Sequence, residues 1–161
     1  MTEEPLARAA LRRAYELHRI PLLRLSTLLV RDPETAEDIV QDVFVRAAPR
    51  LSSLGDEEVG PYLRRSVVNA WKNGLRHHIV EISAAPKLMQ GELSADPALE
   101  ERDAMWREIS KLPARQRACL VLRYYEDLPD GEIASLLGCR IGTVKSQSSR
   151  ALAKLRKAVS P

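Results

Sequence analysis

Apolar residues recur at intervals of three and four along most of the chain, whereas runs that alternate apolar and polar residues are few. Such spacing collects apolar side chains on one face of a helix. The pattern therefore predicts an all-α protein with little or no sheet. The predicted helices cover residues 6–17, 22–30, 33–48, 61–78, 99–110, 113–125, 129–137 and 141–159.

The signals that mark the ends of these helices differ in strength. Asp32 stands directly before Pro33 and Glu34, so a capping acid, a first-position proline and a first-turn acid predict a sharp helix start. Pro21 is expected to open a helix in the same way. Residues 50–60 become polar and carry two glycines, which predicts a loop.

Residues 79–99 interrupt the helical pattern with prolines, a glycine and acids that outnumber the single Lys87. We interpret this stretch as a flexible acidic linker, although Ile79–Ile82 could form a short strand without an evident partner. Two small helical domains follow from this division, one at 1–78 and the other at 100–161. Each is small enough to have only marginal stability by itself.

Composition narrows the class of protein. The chain is 45% hydrophobic and 29% charged, which is typical of a soluble globular protein. Its 161 residues are too few for a large multi-domain enzyme. The net charge of +3 favours nucleic acid only weakly. Cys119 and Cys139 fit neither a disulfide framework nor a zinc site, so a reducing cytoplasm is expected. No stretch is apolar enough for secretion or membrane insertion.

The most specific pattern is a helix-turn-helix at Asp130–Val144. Ala134 allows two helices to cross closely, and Gly138 allows the tight turn between them. The second helix and its start, from Arg140 to Lys157, contain six bases and no acid. A cationic helix with short polar side chains near its beginning is typical of major-groove recognition. A solvated basic surface helix is the alternative interpretation.

A second basic helix starts at Pro61 and contains no acid between Tyr62 and His78. At 100° per residue, its basic and amide side chains fall within an arc of about 140°, which predicts a surface for phosphates or bases. Trp71 falls on the apolar side and is expected in the core. The candidate residues on the basic arc are Arg64, Arg65, Asn69, Lys72 and Arg76.

The helix after Asp32 has the opposite charge, with five acids and no base between Asp32 and Asp42. Its expected buried stripe consists of Ile39, Val40, Val43, Phe44 and Ala47. The opposite face carries Glu34, Asp38, Gln41, Asp42 and Val45. An exposed valine among acids predicts a docking surface for a basic partner, with a plain solvated face as the alternative.

No arrangement of residues indicates an enzyme. The three histidines lack metal-ligand spacing, and there is no phosphate-binding loop, dinucleotide fingerprint or nucleophile elbow. We therefore expect neither catalytic residues nor a metal or cofactor.

The order of acidic helix, basic helix, linker and helix-turn-helix resembles an RNA polymerase sigma factor of the extracytoplasmic-function group, in its SigE-type branch. Asp32–Phe44 is similar to region 2.2 of that family, and Tyr62–Asn69 to the start of regions 2.3 and 2.4. Residues 112–117, 122–128 and 142–146 are similar to region 4. The resemblance implies a monomeric, cytoplasmic initiation factor that directs core RNA polymerase to promoters.

The resemblance also implies roles for residues. Glu34, Asp38, Gln41, Asp42, Phe44 and Val45 would bind the β′ clamp helices of the polymerase or support that contact. The residues of the basic arc would engage the minus-ten promoter element. The β flap would be a further polymerase contact, and an anti-sigma factor is left open as another partner. The minus-thirty-five element would be read by Arg140, Thr143, Lys145, Ser146, Ser149 and Arg150.

Two other classes stay open. A free-standing helix-turn-helix regulator would bind its operator without polymerase, usually as a symmetric dimer. A helical interaction protein with a degenerate DNA-binding face would initiate nothing. Transcription assays with and without core polymerase separate the three.

Overall fold

The computed structural model describes residues 2–77 and 97–160, and every regular element in these ranges is helical. They form two compact units, one on each side of residues 78–96, as expected for an all-α, two-domain chain. The expected linker and the strand at 79–82 lie outside the described residues, apart from 97–99, which are helical. The helices are α1 (Glu3–Val30), α2 (Pro33–Leu51), α3 (Asp56–His77), α4 (Pro97–Ser110), α5 (Ala114–Leu120), α6 (Asp130–Leu137) and α7 (Ile141–Val159).

The first helix differs from its prediction. Instead of two helices meeting at Pro21, α1 is a single helix that contains this proline. The proline side chain is exposed, while Leu22, Leu25 and Leu29 beyond it are buried on the core face. One lost backbone hydrogen bond on the solvent side costs less than the apolar contacts that a break would remove.

The junction between α1 and α2 is a two-residue turn. Arg31 adopts a left-handed conformation with φ of 65°, and its N–H donates to the carbonyl of Thr27 at 2.9 Å. Asp32 caps α2, since its Oδ2 accepts hydrogen bonds from the Thr35 N–H at 3.3 Å and from its hydroxyl at 2.6 Å. The helix start predicted from Asp32 and Pro33 is confirmed.

The loop expected at residues 50–60 is shorter. Helix α2 continues through Pro49 to Leu51, and α3 already begins at Asp56, so Pro61 lies inside α3 instead of opening it. A cap from the Glu58 side chain explains the early start. The Gly55 N–H donates to Oε2 of Glu58 at 2.9 Å, which satisfies a backbone donor at the helix entrance.

The core of the first unit lies between α1, α2 and α3. Its completely buried side chains include Leu25, Leu29, Leu63, Val67 and Val68. The hydroxyl of Ser26, also buried, donates to the carbonyl of Ala36 at 3.2 Å and so joins α1 to the start of α2. The three helices thereby hold the outer faces of α2 and α3 in fixed positions.

The second unit packs α4 and α5 against α7. Its principal cluster joins Leu112, Leu120, Ala151 and Leu155, with Ile109 and Leu152 partly buried against it. The predicted helix over 113–125 changes form, because α5 passes into a π-helical turn at Val121–Tyr125. Buried Arg117 donates from Nη1 to the Leu112 carbonyl at 2.8 Å.

No helix among the described residues is both long and apolar enough to cross a membrane.

Candidate polymerase and promoter surfaces

The outer face of α2 has the composition that its sequence predicted. All members of the predicted acidic face are exposed, and Val45 is 73% exposed among them. We call this set the acidic face. It consists of Glu34, Asp38, Gln41, Asp42 and Val45.

Two ion pairs modify the charge of α2. Nε of Arg46 lies 2.9 Å from Oδ2 of Asp42 on the acidic face, and a guanidinium nitrogen of Arg19 lies 3.3 Å from Oε1 of Glu37. Glu34 and Asp38 have no ion-pair partner within the described part of the chain. These two carboxylates are therefore the acids most available to another molecule.

Phe44 lies behind the acidic face and not on it. Its side chain is buried, and its ring centroid lies 5.2 Å from that of Tyr15 in a tilted arrangement. The guanidinium of Arg19 lies over the same tyrosine ring at 5.7 Å. Phe44 can thus support the position of α2, but it cannot itself contact a partner. Ile39, expected in the buried stripe, is half-buried.

The basic surface of α3 is narrower than the helical wheel suggests. Arg65 and Asn69 are exposed, whereas Arg64 and Lys72 are half-buried, and the side chain of Arg76 lies outside the described set. Val68 explains the difference, because it points into the core from within the predicted basic arc. Trp71 is buried, which confirms its assignment to the core.

Sequence reasoning missed one exposed polar residue on this helix. Asn73 is exposed one helical turn after Asn69, so Arg65, Asn69 and Asn73 follow each other at intervals of four residues. Residues at this spacing are neighbours on a helix surface, about 6 Å apart along its axis. The same i, i+4 spacing in the sequence could have identified Asn73.

The helix-turn-helix prediction matches the local backbone. Gly138 ends α6 with φ of 66°, and the N–H of Cys139 donates to the Ala134 carbonyl at 3.0 Å. Arg140 then precedes α7 in an extended conformation. Only a residue without a Cβ adopts this left-handed conformation without strain, which explains Gly138 in the turn.

Helix α7 presents different residues on its two faces. Val144, Ser148, Ala151 and Leu155 are buried at the three- and four-residue spacing of an amphipathic helix, whereas Val159 is exposed at the helix end. Thr143 is half-buried, and its carbonyl accepts a hydrogen bond from the Ser146 hydroxyl at 3.1 Å. The exposed members of the predicted recognition set are Arg140, Lys145, Ser146, Ser149 and Arg150.

The two cysteines lie near this motif. Cys119 is buried, and burial raises the pKa of its thiol to about 11, with the neighbouring Cys139 adding to the rise. Among the residues that the structure describes, no group of three or more histidine, cysteine or acidic side chains could hold a metal ion. Cys119 is a protonated core residue at neutral pH.

Comparison with known proteins gives a consistent result. Residues 14–78 match the model of sigma-70 region 2, and residues 102–155 match that of sigma-70 region 4. The RNA polymerase sigma-E factor of Streptomyces avermitilis is 36% identical over 140 residues, covering 84% of this chain and 77% of that protein. The ECF RNA polymerase sigma factor SigM of Mycobacterium tuberculosis is 31% identical over 151 residues, covering 93% and 77% respectively.

A solved structure supports the fold. The sigma factor RpoE from Bartonella quintana, crystallised in complex with the anti-sigma factor NepR, gives a TM-score of 0.69 at 21% identity. The match covers 92% of this chain and 95% of RpoE. The two region models and the sequence relatives confirm the family that the motifs predicted. The chain belongs to the extracytoplasmic-function group of RNA polymerase sigma factors.

Proposed function

We propose that this chain binds core RNA polymerase and directs it to promoters, with the work divided between its two units. Residues 1–78 bind the polymerase and the minus-ten element, and residues 100–161 bind the minus-thirty-five element. The observation that carries this proposal is the separation of charge: exposed acids cluster on α2, whereas α7 exposes bases and no acid. A basic protein surface attracts the exposed acids of α2, whereas a polyanion such as DNA attracts the exposed bases of α7.

The acidic face is proposed to bind the β′ clamp helices. Val45 offers an exposed apolar contact one helical turn after Asp42. Asp38 and Glu34 extend the same face about 10 and 16 Å along the helix axis, and their carboxylates have no ion-pair partner among the described residues. An exposed apolar side chain beside charged ones is typical of a protein interface, where the charges mainly set orientation and association rate. Phe44 and Tyr15 hold this face from behind.

The exposed row on α3 is proposed to engage the minus-ten element. Arg65 is suited to a phosphate, while the side-chain amides of Asn69 and Asn73 can donate to and accept from base edges. Arg64 and Lys72, being half-buried, would contribute from the edge of this surface, and Arg76 would extend it.

Helix α7 is proposed to enter the major groove at the minus-thirty-five element. The short side chains of Ser146 and Ser149 let the helix approach the bases, while Lys145 and Arg150 reach further toward phosphates and base edges. Arg140 and Thr143 lie at the start of the helix, where the polar contacts of a recognition helix concentrate. The same unit is proposed to contact the β flap of the polymerase.

Such a factor carries out no bond chemistry, so we propose that it is not an enzyme. It converts polymerase binding into correct placement on DNA, and two weak DNA contacts on one chain reinforce each other through effective concentration. It would act in the bacterial cytoplasm, where the polymerase and the chromosome are. By analogy with RpoE, an anti-sigma factor is a further proposed partner.

Run-off transcription with purified components tests the proposal. Initiation at mapped promoters only when both core polymerase and this chain are present supports it. Binding to an operator by the chain alone would favour a free-standing regulator. If the chain neither supports initiation nor binds DNA, the remaining interpretation is a helical interaction protein.

A charge reversal tests the acidic face directly. Asp42→Arg is expected to abolish capture of the chain by core polymerase, because it places a base against a basic partner. Glu16→Arg on exposed α1 makes the same charge change outside the acidic face and should bind normally. Equal binding by both variants would refute the proposed docking surface.

A further inference from the structure

The first helix of the helix-turn-helix begins without a capping side chain. Pro129 occupies the N-cap position and makes no side-chain hydrogen bond, and α6 contains only 8 residues. Helices this short are marginal without external contacts, and unsatisfied first-turn N–H groups weaken them further. Some other interaction must therefore help to hold the first turn of α6.

Asp130, the first residue of α6, has a charged partner outside the helix. Its Oδ1 lies 3.6 Å from Nη1 of Arg123, which belongs to the π-helical turn after α5. The Asp130 side chain is only 18% exposed, and Oδ1 accepts no hydrogen bond from any described residue. The nearby guanidinium is thus the group that compensates this partly buried carboxylate.

Backbone hydrogen bonds close the π-helical turn that carries Arg123. The Leu128 N–H donates to the Leu122 carbonyl at 3.0 Å, and the Glu126 N–H donates to the Val121 carbonyl at 3.1 Å. The Arg123 guanidinium also lies over the Tyr124 ring, 5.7 Å from its centroid. The contact with the Tyr124 ring restricts the arginine side chain and so lowers the entropy cost of pairing with Asp130.

We propose that the Arg123–Asp130 ion pair replaces the missing N-cap of α6 and thereby positions the recognition helix. The proposal rests on the role assigned to α7 above. Buried Ile133 and Ala134 fix the rest of α6, and only the short turn at Gly138–Arg140 separates it from α7. A displaced first turn in α6 would therefore shift the beginning of α7. Arg123 and Asp130 are positioning residues and need not touch DNA.

Each partner can be removed with little change in shape. We expect Asp130→Asn and Arg123→Gln each to weaken holoenzyme binding to a minus-thirty-five duplex about three- to tenfold, between the effects of exposed and buried pairs. The loss in Asp130→Asn cannot come from net charge, because removing an acid favours DNA binding. Nor can the loss in Arg123→Gln come from the helix dipole, because Asp130 remains in place.

Restoring a normal cap provides the decisive measurement. Pro129→Ser supplies a side-chain acceptor for the first turn, so in that background Arg123→Gln and Asp130→Asn should each cost less than twofold. The Arg123→Gln, Asp130→Asn double variant should bind no worse than the weaker single variant. Glu132→Gln, an exposed acid in the same turn, is the matched control and should not weaken binding.

A second readout is independent of DNA. In the full-length chain without polymerase, Arg123→Gln should speed amide hydrogen exchange across Glu132–Leu137, and Pro129→Ser should reverse this change. The inference would be overturned if Arg123→Gln exchanged its amides at wild-type rates. It would also be overturned if Pro129→Ser failed to restore the DNA affinity that Arg123→Gln loses. If the exchange results hold but even the wild-type holoenzyme ignores the minus-thirty-five sequence, the proposed function fails instead.

Discussion

Arg46 forms an ion pair with Asp42 one helical turn earlier, with Nε and Oδ2 separated by 2.9 Å, on the face of α2 proposed to meet the polymerase. A basic partner that binds Asp42 has to displace this arginine. Arg46→Gln should therefore raise affinity for core polymerase about two- to fourfold at low salt, since it removes a competing pair of about 0.3–0.5 kcal/mol and a like charge. Fluorescence titration of labelled protein with core measures it.

Arg50→Gln is the control for this change. Arg50 is exposed in the last turn of α2 but does not belong to the acidic face. Its replacement should alter affinity less than that of Arg46. Equal gains in the two variants would mean that only net charge matters.

Asp38 should contribute more to polymerase binding than Asp42 does. Asp38 has no ion-pair partner among the described residues, whereas Asp42 already interacts with Arg46. Asp38→Asn is expected to lower affinity for core more than Asp42→Asn, and the difference should shrink at high salt because both charges are exposed. The same fluorescence titration measures both affinities. A larger loss in Asp42→Asn than in Asp38→Asn would contradict the prediction that the unpaired carboxylate contributes more.

Ser148→Ala should stabilise the second unit. The Ser148 hydroxyl is buried in α7 and has no hydrogen-bond partner within the described residues. Removing a buried unsatisfied hydroxyl gains about 1–3 kcal/mol, offset in part by lost packing. Ser149→Ala, on the exposed side, shares the gain in helix propensity and serves as control. Urea unfolding of the two variants measures how much the buried hydroxyl of Ser148 destabilises the unit. Equal stability of the two variants would contradict the prediction.

Gly74→Ala should stabilise the first unit by about 0.5–1 kcal/mol, because alanine restricts the unfolded chain and favours the helix interior. A Cβ at this position meets nothing within 4 Å. At Gly60 a Cβ would lie 3.3 Å from Cε1 of His18, so Gly60→Ala should gain less or lose stability. Thermal unfolding gives the comparison, and equal gains would contradict this packing.

Cys119 should make the second unit sensitive to alkaline pH. Its pKa rises from 9.0 in the unfolded chain to about 11 in the fold, so the folded state holds this proton more tightly. The stabilisation is complete below pH 9 and is lost as pH rises toward 11, amounting to roughly 2–3 kcal/mol. Urea unfolding from pH 8 to 10.5 should show a shallower decline for Cys119→Ala. Parallel declines would contradict it.

Much of the fold could be predicted from local signals. Asp32 and Pro33 fixed the start of α2 because a side-chain cap needs only the adjacent residues. The period of three and four residues placed Trp71 and Phe44 in the core of the first unit. Prolines misled the prediction, since Pro21 and Pro61 lie within helices whose tertiary contacts outweigh one missing hydrogen bond.

The candidate surfaces were predicted less completely. A helical wheel gives the direction of a side chain but not how far the packed core reaches around the helix. Arg64 was therefore grouped with exposed Arg65, although it is half-buried and Val68, within the same arc, is buried. Phe44 is buried, as its place in the predicted stripe requires, so of the two roles that the resemblance allowed only support of the polymerase contact stays open to it. The pairing of Arg123 with Asp130 depends on the π-helical turn, for which the sequence gives no recognisable signal.

The two-residue junction of Arg31 and Asp32 has a consequence for synthesis. Helices joined so closely make contacts between near neighbours in the chain, which form quickly during folding. A ribosome completes residues 33–51 well before residues 141–159, so the helix proposed to bind polymerase can fold while the proposed recognition helix is still untranslated. Under the proposed roles of α2 and α7, polymerase can therefore capture a nascent chain before that chain is able to select a promoter.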